Sequence, residues 1–159
     1  MDIVYKEATR EDIDALVRLR IDYLMSDHPD MTDEEIRKIM EVLPAYFEKH
    51  LGVDLDAFIA IDMMYHGEAV ASAFLLTIEK PANPTFINGK VGEVLNVFTK
   101  EDYRGEGIAH SLISMLLQKG HDLGLDYIKL LSTDAGYNLY KSLGFEDSIS
   151  DYHEMKYKY

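Results

Sequence analysis

Tyr103-Arg104-Gly105-Glu106-Gly107-Ile108-Ala109 lies between two contrasting runs. Before it, Lys90 to Thr99 reads as an apolar strand; after it, Leu112, Ile113, Leu116 and Leu117 repeat at the spacing of one helix face. The glycines let the backbone turn tightly and present successive N–H groups, and the following helix adds the positive end of its dipole. A strand, a Gly-rich turn and a helix in that order predict a cradle for a phosphate or pyrophosphate.

Two common phosphate motifs do not fit. A P-loop needs Gly-Lys-Ser/Thr, and Gly107-Ile108-Ala109 supplies neither the Lys nor the hydroxyl. A dinucleotide fingerprint finds two of its three glycines in Gly105 and Gly107, but His110 stands where close packing is required. Asp126 opens its strand rather than ending it, and roughly ninety residues precede the motif, whereas that fold usually begins with its nucleotide unit.

Working outward, residues 2 to 7 predict a strand, and Thr9-Arg10-Glu11-Asp12 opens a helix carrying Ile13, Leu16, Val17, Leu19 and Ile21. Thr32-Asp33-Glu34-Glu35 forms a capping box for a second helix toward Lys49, which Pro44 should kink or break. Ala57 to Met64 and Ala69 to Ile78 flank His66-Gly67-Glu68 as an antiparallel hairpin. After the Gly-rich turn, Gly120 or Gly124 should end the helix. Tyr127 to Leu131 reads as a strand, Ala135 to Ser142 as a short helix, and Phe145 to Ile149 and His153 to Tyr157 as two terminal strands. Hairpins followed by one strand-helix-strand crossover predict a mixed sheet with helices on both faces.

The 159 residues suit a single domain, 1–159, with 47% hydrophobic and 28% charged residues and no linker or repeat. With 16 Lys+Arg against 29 Asp+Glu, the formal charge of −13 opposes nucleic-acid binding. The same field favours a cationic small molecule or basic peptide. The absence of cysteine removes disulfides, Cys-rich metal sites and any acyl-cysteine step. The histidines show no ligand-like pairing, so no metal is expected. The N-terminal residues read as no leader peptide and no run is long enough to span a bilayer, so a cytoplasmic protein with no membrane partner is expected. Tyr152, Tyr157 and Tyr159 alternate with polar residues, as a half-buried strand, an aromatic wall or a homodimer edge would.

Arg104-x-x-Gly107-x-Ala109, following Leu95-Asn96-Val97-Phe98-Thr99, resembles the coenzyme A motif of the GNAT N-acetyltransferase superfamily. Asn138-Leu139-Tyr140-Lys141-Ser142-Leu143-Gly144-Phe145 is similar to a second signature of that family, Leu-Tyr-x-x-x-Gly-Phe. The resemblance extends over essentially the whole chain. It implies an α/β fold: a central mixed, mostly antiparallel sheet of about seven strands with helices on both faces. It also implies acetyl-coenzyme A as acyl donor and a primary amine of a small molecule or peptide as acceptor.

By that resemblance, backbone N–H groups from Arg104, Gly105, Glu106, Gly107, Ile108 and Ala109 bind pyrophosphate. Main-chain groups of Val97, Phe98 and Thr99 hold the pantetheine, and Asn138 either contacts the cofactor near its thiol or bonds at the start of its helix. Glu106 departs from the usual basic or neutral residue, which puts repulsion beside the phosphates. Tyr140 aligns with the family's general acid, and a phenol with a pKa of about 10 carries its proton at neutral pH. An alkylammonium must lose a proton before attack, and Glu93, an ionisable side chain in a nearly uncharged strand, is the candidate base, or else an exposed sheet charge. Asn96 either orients the substrate or satisfies a bulge. The segment Thr32 to Leu51 and the loop Lys80 to Gly89 should shape the acceptor site. A different class of function, a non-catalytic acyl-coenzyme A sensor on the same scaffold, is disfavoured by Tyr140.

Overall fold

A computed structural model describes all 159 residues. Five strands form one sheet in the order β1-β2-β3-β4-β5: Ile3–Glu7, Leu55–Asp62, Glu68–Glu79, Lys90–Thr99 and Tyr127–Lys129. The first three pairings are antiparallel and the last is parallel. The parallel pair requires a crossover, supplied by the helix α3 described below.

The helices are α1 (Ile13–Asp27), α2 (Asp33–His50), α3 (Ile108–Asp122) and α4 (Asp134–Ser142). Leu16 and Leu19 of α1 and Leu43 and Phe47 of α2 pack with Ile59 and Phe74 on one face of the sheet. Leu112, Ile113 and Leu116 of α3 pack with Val70, Ala73 and Val94 on the other, joined by Tyr140 of α4 and by Leu143 just after it. Both faces of the central strands are therefore covered, which is why β2 and β3 read as nearly continuous apolar runs rather than alternating ones.

Local chemistry sets the boundaries. Thr32 caps α2 through the predicted box: its hydroxyl accepts from the Glu35 amide at 3.2 Å, and Glu35 accepts from the Thr32 amide at 2.8 Å. Pro44 does not break α2, because it lies on the exposed side between the buried Leu43 and Phe47, where water reaches the carbonyl it leaves unpaired. Gly120 does not end α3 either. It faces β5, where an added Cβ would come within 2.5 Å of Ile128, so the glycine serves close helix–sheet approach. Gly124, at φ 69, makes the turn instead.

The two predicted terminal strands do not form, so the sheet has five strands rather than about seven. Phe145 packs back on Tyr140, but the chain beyond it meets neither a sheet edge nor an apolar face. Ile149, Tyr152, Met155 and Tyr157 are all exposed. An alternating pattern forms a strand only where an edge and a face receive it. No helix is long and apolar enough to cross a membrane.

Candidate active site

The loop after β4 makes one short 3-10 turn, Glu101–Tyr103, before the glycines. Tyr103 is anchored there by its hydroxyl, which donates to Asp62 Oδ2 at 3.1 Å. Asp62, at the end of β2, is buried and also accepts the amides of Met64 at 3.0 Å and Asp2 at 3.3 Å. Burial alone would raise its carboxyl, but these hydrogen bonds bring it below the ordinary value. The end of β2 thus fixes where the loop begins.

Gly105 (φ 83) and Gly107 (φ 75) both adopt the left-handed region, and a Cβ at either would meet nothing within 4 Å. The glycines are there for conformation, and the cradle beside them is open. The backbone N–H groups of Gly105, Glu106, Gly107, Ile108, Ala109 and His110 donate to no protein acceptor; the first bond into α3 runs from Ser111 to Gly107 O at 3.1 Å. No side chain caps the helix. A row of free donors ending at the N-terminus of a 15-residue helix is suited to a pyrophosphate. The Arg104 amide is already bonded to Glu101 O at 3.2 Å, and its Nε donates to Thr99 O at 3.0 Å, so its side chain braces the loop against β4. Glu106 is exposed and forms no ion pair.

The strand before the loop outruns its β5 partner. β4 pairs with β5 only at Val91, Gly92 and Glu93; from Val94 to Thr99 its β5-facing edge is free. Val97, Phe98 and Thr99 lie along this gap and are all partly buried. On the β3 side, Phe74 pairs with Leu95 and Ser72 with Phe98, so Asn96 and Val97 together oppose Ala73 in a bulge. Asn96 takes φ 52 there, a region that Asn tolerates better than most residues. Its Nδ2 donates to the fully buried Ser72 hydroxyl at 2.9 Å, and its Oδ1 accepts from Arg20 Nη1 at 3.2 Å. Of the two sequence alternatives for Asn96, it satisfies the bulge.

Tyr140 projects from α4, whose start is capped by Thr133 rather than by Asn138. Gly144, at φ 95, ends that helix and turns the chain so that the Phe145 amide donates to Tyr140 O at 3.0 Å, with the two rings edge to face. The Leu-Tyr-x-x-x-Gly-Phe pattern is therefore a device for pinning Tyr140. Burial raises its phenol above the ordinary value, and the nearby Tyr23 pushes the same way, so the hydroxyl holds its proton at neutral pH.

Tyr23 belongs to α1 and packs edge to face on Phe98 at 6.5 Å between ring centres, which sets α1 against β4 beside the bulge. Arg20 lies against Tyr23 at 5.4 Å. Glu93 is partly buried on the strand face shared with Leu95, opposite Leu76 on one side and Lys129 on the other. Asn138 is exposed on α4. The loop Lys80 to Gly89 is pinned to the start of β5, with the Asn88 amide donating to Asp126 at 3.1 Å, at the end of β4 away from the glycines.

Arg20, Tyr23 and Asp62 had no signal in the sequence. Arg20 and Tyr23 share a helix face at a spacing that many surface pairs show, and Asp62 looks like the polar end of an apolar run. No three His, Asp or Glu side chains converge as metal ligands do.

The profile of the Acetyltransferase (GNAT) family matches residues 14–145. The chain belongs to this family. No protein of curated function matches it in sequence. Among solved structures, a predicted acetyltransferase from Clostridium acetobutylicum, crystallised with acetyl-CoA, is 26% identical with a TM-score of 0.82, over 97% of this chain and 96% of that one. A GCN5-related N-acetyltransferase from Ralstonia eutropha shares the fold at 17% identity and TM-score 0.78, covering 96% and 98%. So does glucosamine-6-phosphate N-acetyltransferase from Arabidopsis thaliana, at 16% and 0.67, covering 98% and 99%. In this GNAT chain one motif follows β4 and the other follows β5, the two strands of the parallel pair.

Proposed function

We propose that the protein transfers an acetyl group from acetyl-coenzyme A to a primary amine of a small molecule or peptide, by direct attack with both substrates bound. The observation that carries this reading is the row of free N–H donors from Gly105 to His110, set at the end of a strand whose outer edge is open toward β5. The donors neutralise a pyrophosphate through backbone dipoles alone, so Glu106 is tolerated provided its side chain stays in solvent. Val97, Phe98 and Thr99 offer the unpaired strand edge to an extended amide-bearing arm, much as a sheet accepts another strand. Bound there, the coenzyme supplies an acetyl group activated as a thioester.

The chain's own residues move the protons. Tyr140, neutral at physiological pH, donates its phenolic proton to the departing thiolate sulfur. Glu93, directly or through water, accepts a proton from the incoming ammonium so that nitrogen has a lone pair for attack. The acid-rich turn between α1 and α2, where Asp27, Asp30 and Glu35 line an open cleft of about 460 Å³, draws an ammonium toward that side. In this reading Asn138, exposed on α4 two residues before Tyr140, contacts the cofactor arm.

A thiol-release assay with acetyl-coenzyme A and a broad amine panel tests the reading. The expected result is amine-dependent release of coenzyme A. Tight cofactor binding by calorimetry without turnover on any amine would instead identify an acyl-coenzyme A sensor.

A further inference from the structure

Arg20 is a partly buried cation for which the fold provides no anion. Lys6, Lys100 and Lys119 are also partly buried, and each holds a carboxylate, whereas Lys80, partly buried too, lies over the Phe86 ring at 5.5 Å and holds none. Arg20 holds none, although the chain has 29 Asp+Glu against 16 Lys+Arg. Asp27, two turns further along α1, contributes to the field at Arg20, but its carboxylate lies 3.3 Å from His28. A guanidinium carries five N–H donors in a planar fork. Here one is spent on Asn96 Oδ1 at 3.2 Å, and the group lies over the Tyr23 ring, 5.4 Å from its centre.

The location gives this free fork a use. Asn96 fixes the guanidinium at the β4 bulge, next to the free strand edge. Tyr23 connects it through ring contact to Phe98, one of the residues along that edge. A cation over an aromatic ring, partly buried and held by a second residue, is pre-organised to grip a planar or tetrahedral oxyanion at two points.

We propose that Arg20 recognises an oxyanion on the acceptor, so that the substrate class is a primary amine bearing a carboxylate or phosphate group. This inference deepens the transferase reading and rests on it. It also refines the expectation of a purely cationic acceptor. A molecule with an ammonium and an oxyanion is close to neutral, enters the field of a chain with formal charge −13 without strong repulsion, and satisfies Arg20 where a polyamine would repel it.

The test compares kcat/KM within matched pairs: β-alanine against β-alaninamide, and O-phosphoethanolamine against ethanolamine, with spermidine as a polycation. The anionic member of at least one pair should exceed its neutral partner by about tenfold or more, and whichever pair responds identifies carboxylate or phosphate. Arg20→Gln should reduce that ratio by about tenfold or more, and Arg20→Lys should restore part of it. A ratio unchanged in Arg20→Gln, as a merely structural role would give, overturns the inference, as does a wild-type preference for the neutral amines or spermidine. If no amine turns over, calorimetry on the coenzyme A-loaded protein separates the two ideas. Anionic amines that bind wild type and are lost by Arg20→Gln support Arg20 while overturning transfer; equal or absent binding overturns Arg20.

Discussion

Replacing Asn96 probes the bulge that shapes the cleft. The side chain is 4% exposed, sits at φ 52, and links the buried Ser72 to Arg20. Asn96→Ala removes both hydrogen bonds, leaving the Ser72 hydroxyl only its long 3.5 Å contact to Asn96 O, for about 2 kcal/mol. It also places a Cβ in the left-handed region without the local hydrogen bonding that eases Asn there, for roughly 1–2 kcal/mol more. Asn96→Gly loses the same bonds, avoids the steric term and adds about 0.5–1 kcal/mol of backbone entropy. The expected order of stability is wild type, then Gly, then Ala, with Ala down by about 3 kcal/mol. For a chain of 159 residues that is a fall in Tm of roughly 6–12 °C, measurable by calorimetry or circular dichroism. A glycine variant as stable as wild type would show that the side-chain bonds do not hold the bulge. A loss for Ala of only about 2 kcal/mol, smaller than that for Gly, would show that the backbone conformation carries no strain.

Gly92→Ala places a Cβ 2.8 Å from Leu75 and 2.9 Å from Leu125, so overpacking outweighs the usual gain over glycine and urea unfolding should give a loss of about 1–2 kcal/mol. Gly136→Ala puts a Cβ 2.9 Å from the Tyr140 ring; kcat should fall about tenfold or more as the phenol is displaced, while cofactor affinity measured by calorimetry holds. Stability should decline as pH drops below the unfolded aspartate value of about 3.9. Hydrogen bonds and ion pairs outweigh burial to hold Asp12 and Asp62 below their ordinary value, so their contribution is present above that pH and disappears as they protonate. Asp56, raised by burial, acts in the opposite sense, so Asp62→Asn should flatten the acid limb of a pH–Tm profile.

Features set by local chemistry were legible in the sequence. The Thr32 box, the His66-Gly67 hairpin turn and the Gly105–Gly107 loop each depend on neighbours within a few residues, and each forms as expected. Features set by distant contacts were not. Gly120 and Gly124 read alike as the helix stop until Ile128 is seen against Gly120, and Pro44 reads as a kink or a break until its solvent-facing position is known. The alternation after Phe145 reads as strand, but no edge receives it. In the site, the cofactor loop and the Tyr140 helix announce themselves by motif. The cleft wall formed by Arg20 and Tyr23 depends on α1 crossing the β4 bulge, a tertiary relation that no spacing encodes.

The central claim is that the Gly105–His110 donors hold the cofactor while Tyr140 supplies the proton for thiol departure. Its most direct test is acetyl transfer by Tyr140→Phe, measured as coenzyme A release alongside the Kd for acetyl-coenzyme A. Phe keeps the ring packed on Phe145 and removes only the hydroxyl. The account predicts a fall in kcat on the order of 10²–10⁴ with Kd changed by no more than about twofold. An unchanged kcat, or a loss confined to Kd, would contradict it.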